Sequence, residues 1–471
     1  MVRYTLTPTQ MDAVNAKGEH VLVKGIPGSG KTTVLLTKLQ NIIEETPSAS
    51  ILFITFNNTL QKYIKESLKN DLEKDLQMDL EKLNVEVYTY HKWATKVLHK
   101  LRKYKLPIDK YTFSTFLNEL SGTHRFYTDK KYQPFLEEEI AWIKEKGIKT
   151  FNVYKDIFRT GRGTALQAND RKVVYSILDE WDSYLYANSL YMWQDYANVV
   201  NDYIDEVNKH FEYDYIFIDE AQDLSQIQLI SLRKIARKGL VVAADLGQKI
   251  YKTDFTWKSV GIKVQGNRTK TLNGAFRSTK EIMDLAYSLL KHDSLLNPED
   301  IEQEYDAEES GLMPGVLNAN SYKFETELVS KLIKDIQAQA QQDGWEPTIG
   351  ILLFENQRLD GWRKSLFYSD IQSEIIRDQY GSALTPGVKL LTMHGAKGLE
   401  FDYVIISGLN NRFPVLQNRL EDDIISTIDI NRRLLYVSMT RAKENVYLTY
   451  KGTPSLYIEE LDKDLYTFEV L

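Results

Sequence analysis

The stretch VLVKGIPGSGKTT, Val21 to Thr33, decides the fold. It contains G-x-x-x-x-G-K-T, read as Gly25, Gly30, Lys31 and Thr32. The apolar run HVLVKG before it reads as a buried strand. In TTVLLTKLQNIIEE after it, Leu35, Leu36, Leu39, Ile42 and Ile43 recur at helical spacing. Strand, glycine loop and helix form the context of a phosphate cradle. Glycines let backbone N–H groups turn inward, and the helix N-terminus adds partial positive charge. The set Gly25, Gly28, Ser29, Gly30, Lys31, Thr32 and Thr33 is therefore expected to bind a nucleotide. In that reading Lys31 reaches the β- and γ-phosphates and the Thr32 hydroxyl holds Mg²⁺. The loop alone does not separate a kinase from a GTPase or a motor.

Working outward, ILFITF, YDYIFID, GLVVAAD, TIGILLF, VKLLTMH, DYVIISGL and NVYLTY carry strong strand signals separated by helical stretches. This is the rhythm of parallel sheets covered by helices, an α/β class. Residues 96–200 differ: they are helical in pattern, rich in Tyr, Lys and Glu, and poor in strand signal. The reading is a first α/β domain in two parts, 1–95 and 201–270, interrupted by a helical insertion at 96–200, then a second α/β domain at 271–471. RTKTLNGA marks the crossing, and NPEDIEQEYDAEES (297–310) reads as a loop of the second domain. The charge-alternating segment 62–83 reads as a solvated helix face.

The chain has 471 residues, 29 Tyr, 18 Phe, no Cys and a net charge of −7. Disulfides and thiolate metal sites are excluded. The absent thiols fit a reducing cytoplasm, and neither a signal peptide nor a membrane span is expected. A net negative charge does not exclude nucleic acid, because a channel needs local Lys and Arg rather than a global excess.

In YDYIFIDEAQDLS, four apolar residues run directly into Asp219 and Glu220. Ligands sit at strand carboxyl ends in open α/β sheets. Asp219 is expected to hold Mg²⁺. Glu220 is expected to orient and deprotonate the attacking water.

With DEAQD the chain resembles the superfamily-one helicases of the UvrD, Rep and PcrA type. The resemblance implies two RecA-like domains, with the insertion as domain 1B and ATP as fuel. LTPTQMDAV is similar to the Q motif, which implies that Gln10 reads the adenine edge. ILFITFNNTL resembles the next motif and implies Phe56 and Asn57 at a bound single strand. VYTYHKW places Thr89 and His91 in the following one. DLGQKIY implies Gln248 as a γ-phosphate sensor and Tyr251 stacked on a base. LNGAFRST implies Arg277 on the γ-phosphate and Phe276 beside the adenine. LLTMHGAKGLEFDYVII implies His394 and Lys397 near the strand and Glu400 near the ribose. RRLLYVSMTRAK implies Arg441 as a second arginine finger. Charge spread over the γ-phosphoryl oxygens during hydrolysis makes such arginines worth orders of magnitude in rate.

The chain also departs from that pattern. The family's Trp after DADQSIY is displaced; Thr253 stands where it falls, and Trp257 is the candidate replacement for base stacking. Thr33 stands where many members carry arginine. Arg277 to His394 leaves little room for domain 2B. Short proteins of this kind resemble the helicase-like subunit of the Gabija anti-phage system, which implies a nuclease partner. Two functions fit: a motor on single-stranded or tailed duplex DNA, 3′ to 5′ by resemblance, or a DNA-sensing ATPase that switches a nuclease without processive unwinding. A metabolic P-loop kinase leaves the later motifs unexplained.

Overall fold

The computed structural model describes residues 6–56, 58–75, 83–159, 164, 166–245, 255–275, 278–294, 306–307, 310–376, 385–413 and 421–470. Seventeen strands are defined among them. The first sheet takes β1 (His20–Gly25), β2 (Ile51–Thr55) and β3 (Val85–Thr89). The two short strands β4 (Leu106–Pro107) and β5 (Leu190–Tyr191) pair with each other inside the insertion. Then β6 (Tyr213–Ile218), β7 (Ala236–Ala244) and β8 (Thr269–Leu272) complete the first sheet, in the order β3-β2-β6-β7-β1-β8. Every pairing in it is parallel. All five residues of β2 are buried, as expected of a strand covered on both faces.

Two apolar cores flank this sheet. One includes Leu35, Leu39, Phe53 and Phe217; the other includes Trp93, Val97, Ile216 and Leu229. The helix Asn58–Asp75 puts Leu60, Ile64 and Leu68 on its buried face at steps of four, while Lys62 and Glu66 stay in water.

The insertion has its own core, from Phe113 to Met192. Its centre is Trp181, fully buried, with Phe116 at 4.8 Å and Phe113 at 4.9 Å between ring centroids. The indole N–H of Trp181 donates to the Met192 sulfur. The flanking helices Tyr90–Lys100 and Trp193–Asp202 instead pack with the first sheet. The helical unit is thus bounded just inside those two helices.

After β8 the chain crosses to the second lobe through β9 (Gly274–Ala275), which pairs with β10 (Asp306–Ala307). The second sheet holds β11 (Gly315–Ala319), β12 (Thr348–Leu353), β13 (Ser373–Ile375), β14 (Gly387–Thr392), β15 (Phe401–Ser407), β16 (Ala442–Lys451) and β17 (Thr467–Val470). Their order is β13-β14-β12-β15-β16-β11-β17, all parallel. Cores lie on both faces, with Trp362 fully buried in one and Tyr436 in the other. The architecture is two parallel α/β sheets with one helical insertion, which agrees with the α/β, two-RecA-domain reading.

Replacing Trp181 by Ala removes the aromatic centre of the insertion and should cost about 3–5 kcal/mol of that unit's stability. Urea unfolding followed by near-ultraviolet circular dichroism measures it. An unchanged midpoint would show that Trp181 does not hold this core.

Candidate functional site

The glycine loop is held open by its neighbours. Gly30 has φ +80°, and a Cβ there would lie 2.5 Å from the Gln10 amide nitrogen. A Cβ on Gly25 would lie 2.3 Å from Ser29 Oγ. Thr7 and Gln10 form a reciprocal cap on the helix Pro8–Asn15. That cap occupies Gln10 Oε1 and aims Nε2 at the Ser29 carbonyl, 3.0 Å away. The helix Lys31–Glu45 starts with no side-chain cap at Gly30. Its first N–H groups therefore point into the loop without a competing acceptor.

Lys31 Nζ donates to the carbonyls of Gly25 (2.9 Å) and Ile26 (2.8 Å) and lies 3.5 Å from Asp245 Oδ2. Oxygen atoms thus surround the ammonium. Ser29 Oγ is fully buried with no hydrogen-bond partner. An orphaned hydroxyl beneath an uncapped helix N-terminus fits a group rich in acceptor oxygens, such as a triphosphate. Thr33 sits in the first turn, and its carbonyl accepts from the Thr37 hydroxyl.

β6 delivers the acids. Thr32 Oγ1 donates to Asp219 Oδ2 at 2.6 Å, so the two groups expected to share a cation touch. Burial, helped by Glu220, pushes the Asp219 carboxyl up to about 6. Glu220 has φ +54°, a left-handed conformation rarely held by a residue with a side chain. Burial works to raise the Glu220 carboxyl. Lys397, Lys31 and Arg441 outweigh it and hold Glu220 below the usual carboxylate range. The amide of Gln222 bridges Glu220 Oε2 and the backbone N–H of Asp245.

Two of those cations come from the second lobe. Arg441, 1% exposed, stands between the helix Glu421–Met439 and β16 with Nε on the Val437 carbonyl. Lys397 crosses the lobe boundary and puts its ammonium 2.6 Å from Asp223 Oδ1. Both side chains are almost wholly buried. Burial pushes Asp223 up to about 7 despite that ammonium. Lys397 also stands 5.5 Å from the ring centre of Phe56. Besides lying beside Phe56, it ties the lobes together, because Asp223 supplies a buried counter-charge.

A cleft of about 940 Å³ opens on the other side of Phe56. Phe56, Thr89, His91, Lys92 and Trp193 of the first lobe face Thr392 and His394 of the second across it. A pocket of about 280 Å³ shares Phe56, His91 and Trp193 and reaches Asp223. Burial holds both His91 and His394 below the usual imidazole range, so both rings are neutral at pH 7. The His91 ring meets Trp193 edge-on at 5.2 Å.

The structure therefore brings Lys31, Thr32, Asp219, Glu220 and Arg441 to one centre and Phe56, His91 and His394 to another. Trp257 lies half-buried, edge-on to Phe255 at 5.4 Å, against the first lobe's core. Glu400 lies 3.8 Å from Lys443. Asn57, Gln248, Tyr251, Phe276 and Arg277 lie outside the described residues. The sequence reading missed Trp193 and the pairing role of Asp223. Trp193 in YMWQDY carried a signal, an aromatic set among polar residues at a helix start. Among the described residues no group of three His, Asp or Glu could hold a metal by itself.

These features define a two-lobed P-loop nucleoside triphosphatase. Residues 6–255 match the UvrD/REP helicase N-terminal domain, and residues 376–453 match the UvrD-like helicase C-terminal domain. The chain is 23% identical over 665 aligned positions to a probable DNA helicase II homolog of Mycoplasma capricolum subsp. capricolum. That match covers 98% of this chain and 88% of the relative. It is 23% identical to a probable DNA helicase of Mycoplasma pneumoniae, covering 95% and 85%. A stretch of 92 residues, 17% of this chain and 12% of the relative, is 39% identical to the ATP-dependent DNA helicase PcrA of Staphylococcus epidermidis. The chain belongs to the UvrD/REP helicase family.

The raised Asp219 value has a consequence with a definite sign. An aspartate in the unfolded chain titrates near about 4. Between that pH and about 6 the folded chain holds a proton that the unfolded chain releases. The stabilising contribution is therefore complete below about pH 4 and lost as pH rises through about 6. Without divalent cations, Asp219→Asn should raise Tm at pH 8 and do little below about pH 4. Calorimetry at both pH values checks this; an equal shift at both would contradict it.

Proposed function

We propose that the chain is an ATP-driven motor that moves along single-stranded DNA and parts duplex ahead of it. One observation carries the reading. A single buried ammonium, Lys397, joins the cleft to the hydrolytic centre. It faces Phe56 on one side and Asp223 and Glu220 on the other. A displacement of a strand at Phe56 is thereby felt at Glu220, and lobe closure at Glu220 is felt at the strand.

The residues divide the work. Thr32 and Asp219 would hold Mg²⁺, which when bound neutralises charge on the phosphoryl oxygens. Lys31 and the uncapped helix N-terminus bind the phosphates. Glu220, kept ionised by three cations, orients the attacking water and takes its proton. Arg441 supplies positive charge from the opposite lobe as the bond to the leaving diphosphate breaks. The resemblance assigns Arg277 a second such role and Gln10 and Phe276 the adenine. The cleft suits a single strand, because ring faces stack on bases without sequence preference. The relatives' names favour DNA over RNA, and their family favours 3′ to 5′ travel.

The finer reading is a compact motor that serves a nuclease in anti-phage defence. The described residues from 278 to 393 build strands and helices of the second lobe, which supports a reduced domain 2B. Co-purification with the product of a neighbouring nuclease gene tests that partnership.

Lys31→Ala should abolish ATP turnover, and Arg441→Ala should lower it by about 10³-fold or more while sparing nucleotide binding. Wild-type turnover should rise with single-stranded DNA, and a strand should be displaced from a duplex carrying one tail polarity only. Strong DNA stimulation without displacement would favour the DNA-sensing switch; no stimulation would overturn both readings.

A further inference from the structure

The cleft does not end at its lining residues. The helix Tyr90–Lys100 begins inside it, with His91, Lys92 and Thr95 among the lining side chains. Beyond Lys92 the segment runs KWATKVLHKLRKYKLPIDK. From Lys92 to Lys110 it carries seven Lys and Arg against one acid, in a chain of net charge −7. Within the helix Lys92, Lys96 and Lys100 fall at steps of four and so share one face, and Lys103 follows its end beyond the left-handed Arg102. At 1.5 Å per residue this face carries charge about 12 Å from the cleft by Lys100. Its one acid, Asp109, accepts from the backbone N–H groups of Tyr111 and Thr112 and from the Thr112 hydroxyl. Lys96 pairs with Glu86 at 2.7 Å, and Lys92 donates to Gln61 Oε1 at 3.0 Å.

Aromatic rings follow the same route. Trp193 at the cleft stacks on Tyr196 at 5.5 Å, and Tyr196 meets Tyr191 at 5.9 Å and Tyr104 at 6.2 Å. Lys105 lies 5.0 Å from the Tyr191 ring and 4.8 Å from that of Tyr186. Tyr186 is 79% exposed and Tyr111, with Lys110 at 4.7 Å, is 62% exposed. Stacking faces interleaved with cations are the chemistry of a single-strand surface.

We propose that a single strand leaving the cleft past Trp193 continues onto this basic, tyrosine-bearing surface at the foot of the helical insertion. Lys100, Lys103 and Lys105 would meet its phosphates, and Tyr186 would stack on a base. The surface extends the footprint beyond the cleft and gives the insertion a hold on the strand. This rests on the cleft being the single-strand site.

The test compares oligothymidylates of two lengths, about 6 and about 16 nucleotides, spanning the usual range of site sizes. Their affinities are measured by fluorescence anisotropy as a function of salt. The triple variant Lys100→Ala/Lys103→Ala/Lys105→Ala should bind the long strand about tenfold more weakly, with the log–log salt slope smaller by about 2. It should bind the short strand as the wild type does. Tyr186→Ser should weaken only the long strand without changing the slope. Equal affinities for the long strand in wild type and variant would overturn the extension and leave the cleft standing. Equal loss at both lengths would place the lysines in the cleft and also overturn it. A variant defect confined to blunt duplex would assign the surface to duplex instead. Failure of the wild type to bind either strand would remove both this proposal and the cleft on which it rests.

Discussion

One ion pair sets the terms for the rest of the molecule. Lys397 of the second lobe and Asp223 of the first meet with almost no exposed surface on either side chain. Removing two charges from water is costly, and the pair returns that cost only while the lobes stay closed. Separation would return both groups to solvent, so the closed state is held by a contact that water can replace. That is a suitable property for a hinge that must open and close. The same ammonium lies within reach of Phe56 and lowers Glu220, so the tie between lobes is also the tie between cleft and hydrolysis.

The two sheets explain why such a tie can exist. Parallel strands end together, so β1 and β6 deliver the phosphate loop and the acids to one edge of the first sheet. Arg441 enters β16 and Lys397 precedes β15, which places both at the facing edge of the second. Each half-site is incomplete alone. The first lobe holds the oxygen-binding loop and the base; the second brings the cations that keep that base ionised.

Much of this was legible in the residues. The glycine loop between an apolar strand and a 3.6-periodic helix has few alternatives, and Asp219–Glu220 at a strand end follows from the same geometry. The helical insertion was visible as a loss of strand signal, but its edges were not. The helices Tyr90–Lys100 and Trp193–Asp202 look like the insertion in composition while their apolar faces pack on the first sheet. An aromatic in a loop, such as Trp257, reads equally as a stacking ring or a packing ring, and the sequence shows nothing of the Phe255 ring it meets. Lys397 and Asp223 are 174 residues apart, and no local pattern announces that they meet. Trp193 reaches the cleft through tertiary packing of the same kind.

The central claim is that the lobes move as one with nucleotide and strand. The chain has no cysteine, so labels can be placed at will. Lys62 in the first lobe and Glu327 in the second are both well exposed. Cysteines at those two positions, carrying spin labels, allow the distance between lobes to be followed by pulsed electron resonance. The account predicts a broad distribution for the free protein, narrowed by a non-hydrolysable ATP analogue, and shifted again by a single strand in the cleft. Lys397→Ala should abolish the narrowing. A distribution that is the same in all these states would contradict it.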